Sequence, residues 1–220
     1  MKKRVIIYLC GMIILTLGVS LNTKTSLGVT PIIAPPFAVS EISHANFGNV
    51  VLVCYSIFLL LEMIIHWLDK EVEHKQLAAD LLQLPVCILF SRLMNIYSSI
   101  LPDFAAEYKG MFIGTTAGRI MIVILAVILT GVGAAMTLNM RLVPNTADGL
   151  VQALSDFTHC EIGTVRNLFD LTCVLLALAI SLISVRKVIG IGIGTLIAAL
   201  GAGRVIAAYH MVLNKFKSGL

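Results

Sequence analysis

The chain has 220 residues, 58% hydrophobic and only 13% charged, with a formal net charge of +4. That balance is too apolar for a soluble domain and makes the lipid bilayer its solvent. The positive charge does not point to nucleic acid, because the basic residues sit mostly at the ends of apolar runs, where they act as topology signals.

A helix crossing a hydrocarbon core ~30 Å thick needs about 20 mostly apolar residues. The first such run, Val5–Leu21, follows Met1-Lys2-Lys3-Arg4 and reaches Gly18-Val19-Ser20. It also fits a cleavable signal peptide with a small-x-small site, and the repeat described below argues for its retention. Next comes Pro31–Ser43, which at 1.5 Å per residue reaches only ~20 Å and is too short to span. Thr30 stands ahead of Pro31 as a predicted N-cap, and Pro35-Pro36 predict a kinked or partly unwound segment. Predicted spans then follow at Val50–Leu68 and Ala78–Tyr97, with Asp69–Lys75 between them as a solvated loop. Beyond them lie a span at Ile120–Leu138, a second short segment at Thr146–Thr158 with Asn145 in the cap position, and spans at Val165–Val185 and Val188–Leu213. In the last run Gly190, Gly194, Ala198 and Ala202 recur every four residues and predict a smooth ridge for close helix approach. The expectation is an all-α polytopic membrane protein with six transmembrane helices in a single membrane domain covering 1–220.

Shifting the sequence against itself by 115 residues pairs Arg4 with Arg119, Gly18 with Gly133, Leu27 with Leu142, Ser40 with Ser155, His44 with His159 and Gly48 with Gly163. Internal repeats are therefore expected at approximately 4–112 and 119–214. Three spans per half would force the second half to enter from the opposite side, giving two three-helix inverted repeats, each with a short re-entrant or interfacial helix. If the short segments spanned instead, each half would have four helices and the repeats would be parallel. In the six-span arrangement Lys2, Lys3, Arg4, Lys70, Lys75, Arg141, Lys215 and Lys217 fall on one side, against Lys24, Lys109, Arg119, Arg186 and Lys187 on the other. That bias predicts a cytoplasmic N-terminus.

Three motifs, Leu142-Val143-Pro144-Asn145-Thr146-Ala147-Asp148-Gly149-Leu150, Ile162–Leu171 and Gly192-Ile193-Gly194-Thr195 onward to Leu200, resemble the YczE/YyaS/YitT group of bacterial membrane proteins, most of all its YczE-like branch. Leu27-Gly28-Val29-Thr30-Pro31 is similar to the corresponding first-half motif. The resemblance implies a multi-pass protein of the bacterial plasma (inner) membrane and a fold family without an assigned activity. Where that family continues Pro-Trp-Asp, this chain reads Pro31-Ile32-Ile33, so the acidic residue is present only as Asp148. The glycine-rich helix is likewise recognisable only in the second half, the first having Gln76-Leu77-Ala78-Ala79. These departures weigh against a site made equally by both halves.

No nucleophile–base, metal-ligand or Walker spacing occurs, and Gly190–Thr195 lacks the preceding strand and the spacing of a dinucleotide loop. Neither an enzyme nor a cofactor is expected. The five cysteines, Cys10, Cys54, Cys87, Cys160 and Cys173, include no C-x-x-C pair and read as packing residues rather than a disulfide framework or zinc site. Arg166 and Asp170 lie four apart on one helical face, and each charge would cost ~2.5–3.5 kcal/mol alone at the membrane centre. They face a cavity or a partner, or Arg166 snorkels to the headgroups and leaves Asp170 as a pairing residue. Asp80, Glu62, Arg92 and Arg204 are weaker cases of the same kind. Asn145, Thr146 and Asp148 open the second short helix, where backbone N–H groups could meet an anion or polar solute, with Arg166 compensating Asp148; simple capping is the alternative. Thr30 and Pro31 hold the equivalent place in the first half. His44 and His159 fall in the loops after the short helices, and His66, His74 and His210 have no ligand-like spacing.

Paired short helices in inverted repeats lead to the expectation of a transporter or channel for a small solute or ion, polar or anionic, embedded in the bilayer and able to form a homo-oligomer. The alternative is a non-transporting membrane module acting as an assembly or regulatory partner. With six spans, the loop after Asp69 and the C-terminus should share a compartment with the N-terminus. Single-cysteine accessibility labelling from each side checks this, and opposite labelling of the two termini would rule it out.

Overall fold

The computed structural model describes residues 2–69, 80–140 and 142–218, with side chains to 213. The Lys70, Lys75 and Arg141 contributions to the charge bias, most of the Asp69–Lys75 loop, His74, the Gln76–Ala79 segment and the Lys215 and Lys217 side chains lie outside the described residues. The described residues form eight helices of ten residues or more: α1 (Lys2–Thr23), α2 (Ala34–Ser43), α3 (Phe47–Leu68), α4 (Gln83–Ile100), α5 (Thr116–Met140), α6 (Thr146–Thr158), α7 (Ile162–Val185) and α8 (Ile193–Ser218). Short turns at Pro31–Ile33, Phe104–Glu107 and Phe112–Gly114 link them, and no strand occurs among the described residues. Among the described residues six helices, α1, α3, α4 with its continuation to Glu107, α5, α7 and α8, are long and apolar enough to cross a membrane. The protein is a multi-pass, all-helical membrane protein.

The third span begins at Gln83 and the last at Ile193, later than the apolar runs predict. The reason at Ile193 is tertiary: residues 188–192 do not continue the helix, and Gly190 among them bonds the loop after α1. Val29 N donates to Gly190 O at 2.8 Å and Gly194 N to Leu27 O at 2.8 Å. Gly28 holds φ +114, where a side chain would be strained, and a Cβ there would lie 2.6 Å from both Gly192 N and Thr195 Oγ1. The expected ridge is corrected accordingly: Gly190 stands outside the helix at φ +73, Gly194 packs on the Leu27–Gly28 backbone, and Ala198 is buried beside Val123 and Val127 of α5.

The chain forms two compact units, Met1–Pro31 with Leu93–Leu142 and Ile189–Leu220, and Ile32–Arg92 with Val143–Val188. In the first, α1 and α5 run antiparallel at backbone contact. A Cβ on Gly18 would sit 2.6 Å from Ala126 O, and one on Gly133 would sit 2.6 Å from Gly11 O. At each end an arginine caps the partner helix: Arg4 Nη2 donates to Met140 O, and Arg119 Nη1 donates to Thr25 O at 3.2 Å. Each satisfies a carbonyl that has no intrahelical partner and places a cation at the negative end of the helix.

In the second unit α2 packs on α7 and α3, and α6 packs on α3 and α7. Both short helices end alike. His44 and His159 take left-handed conformations at φ 54, which turn the chain into the next helix. Ser40 Oγ donates to Ala45 O at 2.8 Å and Ser155 Oγ to Cys160 O at 2.7 Å, closing the same turn in each. The expected kink at Pro35-Pro36 does not arise, because a separate turn at Pro31–Ile33 comes first and the two prolines fall in the first turn of α2, where no N–H is needed. Ile33, not Thr30, occupies the N-cap of α2.

Gly133→Ala should lower the melting temperature in detergent by the equivalent of about 1–3 kcal/mol, since the new methyl would meet Leu15 N at 2.3 Å. Gly203→Ala, which meets nothing within 4 Å, should not destabilise, and equal melting of both variants would count against the α1–α5 packing.

Candidate functional site

Four helices of the second unit frame a polar cluster. The start of α4 runs antiparallel to α3, tied by Ser91 Oγ donating to Gly48 O at 2.8 Å and Arg92 Nη1 to Asn49 Oδ1 at 3.1 Å. Tyr55 stacks on Phe90 at 5.2 Å, and Phe58 meets the Phe169 ring of α7 edge-on at 5.3 Å. Into this frame α6 brings its first turn. Thr146 is fully buried, with Oγ1 2.6 Å from Cys87 Sγ.

Asn145 sits at the N-cap, but its side chain makes no capping bond; its backbone carbonyl accepts from Gly149 N at 2.8 Å and its side chain interacts with the Tyr55 hydroxyl. The capping alternative for its amide is therefore not what the fold uses. Beside it Arg166 Nη1 donates to Asp148 Oδ1 in an ion pair between α7 and the first turn of α6, the two side chains being 39% and 20% exposed. Arg166 points at a carboxylate rather than away from the protein, as the snorkelling alternative requires. Asp170, one turn further along α7, feels both charges but does not share the bond: its Oδ1 is buried without a hydrogen-bond partner. Helical spacing alone favoured Asp170 as the partner, and the packing of α6 on α7 selects Asp148.

Of the seven candidate residues, Asn145, Thr146, Asp148, Arg166 and Asp170 come together in this unit. Thr30 and Pro31 belong to the other, where the Asn22 amide, in the orientation that satisfies it, accepts from Thr30 N at 3.2 Å and donates to Gly28 O at 3.1 Å. The weaker cases divide. Arg204 is exposed, whereas Glu62 and Asp80 are each 2% exposed and belong to a second polar group missed in the sequence. Gln83 Nε2 donates to Glu62 Oε1 at 2.7 Å, and His66 Nδ1 lies 2.7 Å from Asp80 Oδ2. Gly149 leaves room for the Glu62 carboxylate, since a Cβ there would be 2.6 Å from Oε1. Glu62 Oε2 and Gln83 Oε1 are buried without partners, each an arrangement that costs about 1–3 kcal/mol unless a ligand or ion satisfies it. The available signal was Glu62 and His66 at i, i+4 facing Asp80 and Gln83 at i, i+3, a pattern that becomes a cluster only when α3 and α4 are known to be antiparallel neighbours.

Arg166→Ala should destabilise more than the double change with Asp148→Ala, because only the single change strands a carboxylate. A double-mutant cycle on stability in detergent should give a coupling above about 1 kcal/mol for Arg166–Asp148 and a smaller one for Arg166–Asp170. Additive effects of Arg166→Ala and Asp148→Ala would show that the pair does not form.

No curated protein and no solved structure matches the chain. A family model does match it over residues 2–211, and the chain belongs to that family, a family of unknown function (DUF6198).

Proposed function

We propose that this chain is a membrane transporter or channel for a small polar solute or ion, built from two inverted repeats. The observation that carries the reading is the Asp148–Arg166 pair, with Asp170 beside it, at the first turn of a helix too short to span. Charges are held within membrane helices at a cost, and a short helix that opens onto them offers unsatisfied N–H groups and a positive dipole end to a solute. Two carboxylates against one guanidinium leave an acidic excess, so a cation or a neutral polar solute fits better than an anion, which would have to displace Asp148 from Arg166.

Inverted repeats are supported by the way equivalent positions exchange partners. Under the 115-residue shift Arg4 becomes Arg119 and Thr25 becomes Met140, so the two arginine–carbonyl bonds are images of one another. The Gly18–Ala126 and Gly133–Gly11 approaches are images too, and α1 and α5 are antiparallel. The same shift relates the Ser40 and Ser155 turns and the two left-handed histidines. On this reading α2 and α6 are re-entrant or interfacial elements of the repeats at approximately 4–112 and 119–214. Kinship with the YczE/YyaS/YitT group, a bacterial inner-membrane location and a cytoplasmic N-terminus complete the proposal. A second reading, a non-transporting module that assembles with a partner, is favoured by one observation: few residues of α8 are buried within the chain, which leaves a long apolar surface for lipid or another protein.

A thermal-shift screen of inorganic ions and small polar solutes in detergent should yield a compound that stabilises the parent, by about 2.7 kcal/mol at a hundred-fold excess over Kd. Asp148→Asn and Arg166→Gln should abolish that stabilisation and the corresponding flux into proteoliposomes. Absence of both in folded protein would favour the non-transporting reading.

A further inference from the structure

We propose that Glu62, His66 and Asp80 form a binding site for a divalent transition-metal ion, separate from the Asp148–Arg166 pair. One ligand atom from each of the three residues can be chosen so that all lie within 4.8 Å of one another. Ligand atoms around a tetrahedral ion with bonds of ~2.0–2.2 Å stand about 3.3–3.6 Å apart, so closure requires side-chain movement on the order of 1–1.5 Å.

The cluster is more than a group of acidic residues. Glu62 and Asp80 are each 2% exposed, and Gln83 is 1% exposed. Gln83 holds Glu62 through Oε1, which leaves Glu62 Oε2 buried with no donor, and Gln83 Oε1 is buried beside it in the same condition. Buried acceptors without donors, next to a second buried carboxylate, are what a cation would satisfy. Among the described residues no lysine or arginine forms an ion pair with either carboxylate, and His66 is the one basic partner seen, through Nδ1 to Asp80. Two carboxylates and a neutral imidazole match the charge of a dication.

The donor set decides the class of ion. Mixed carboxylate and imidazole ligands suit zinc, manganese or iron, whereas calcium and magnesium favour all-oxygen shells with more ligands than this cluster supplies. Glu62 and His66 share one face of α3 by i, i+4 spacing, and Asp80 precedes α4, so the ion would pin the beginning of α4 to the end of α3. Gln83, bonded to Glu62, is the outer residue that orients the ligand.

Binding is measured on metal-stripped full-length protein in detergent, so it does not depend on the transport reading. Zinc or manganese added alone should be retained through desalting at one ion per chain, with magnesium and calcium not retained. Glu62→Gln, His66→Ala and Asp80→Asn should each weaken affinity at least about ten-fold, while Glu41→Gln, an exposed acidic residue elsewhere, should bind as the parent does. Pulsed electron paramagnetic resonance of manganese in the unmodified protein should show coupling to one imidazole nitrogen, a readout that needs no variant to fold. No retained ion, unchanged affinity in folded Glu62→Gln and His66→Ala, or manganese without nitrogen coupling would each overturn the site.

Discussion

Inside a bilayer a polar group has no water to bond, so each one must find its partner within the protein, and this constraint organises the whole molecule. Helix ends are where it presses hardest, because their last carbonyls lack intrahelical donors. Arg4 and Arg119 answer it at the ends of α5 and α1, and they can reach only because Gly11, Gly18 and Gly133 let the two helices meet backbone to backbone. The glycines and arginines are one device: close packing sets the register, and the register brings each guanidinium to its carbonyl.

The same constraint explains the loops. Where α1 ends, Asn22 bonds Gly28 O and Thr30 N, and Val29 and Leu27 bond Gly190 and Gly194 on either side of the start of α8. The glycine-rich stretch before α8 thus serves a loop–loop contact as much as a helix interface. Gly28 and Gly192 are required there because each would otherwise push a methyl into the opposing backbone. Similarly, His44 and His159 serve backbone geometry, turning the chain at the end of each short helix.

In the unit formed by Ile32–Arg92 and Val143–Val188 the constraint is met incompletely. Arg166 and Asp148 satisfy one another, Asn145 meets Tyr55, and Thr146 meets Cys87, but oxygens of Asp170, Glu62 and Gln83 are left without donors. Arg119, Asn139 and His210 of the other unit also have buried nitrogens without partners, but the three orphans of this unit are all carboxylate or amide oxygens, the kind of atom that a cation or a donor ligand can satisfy. The residues are also unequally shared between the halves: under the 115-residue shift Asp148 corresponds to Ile33, Arg166 to Val51 and Asp170 to Tyr55. Whatever symmetry the backbone has, the polar chemistry belongs to one arrangement of side chains only.

Composition and hydrophobic run length were enough to fix the membrane class, the six long apolar helices and the two short segments, because the thickness of the hydrocarbon core sets a length that sequence alone can satisfy or fail. That Arg166 needs an acidic partner, Asp148 or Asp170, was legible for a similar reason: an isolated charge in an apolar run demands a counter-charge. What remained hidden depended on which helices touch. Asp148 rather than Asp170 bonds Arg166 because α6 packs on α7; the Glu62–His66–Asp80 group exists because α4 folds back along α3; and Gly190 leaves the helix because the loop after α1 offers it a bond. Periodicity describes one helix at a time, whereas partner choice is settled by side chains from different helices, and only the tertiary structure brings those within bonding distance.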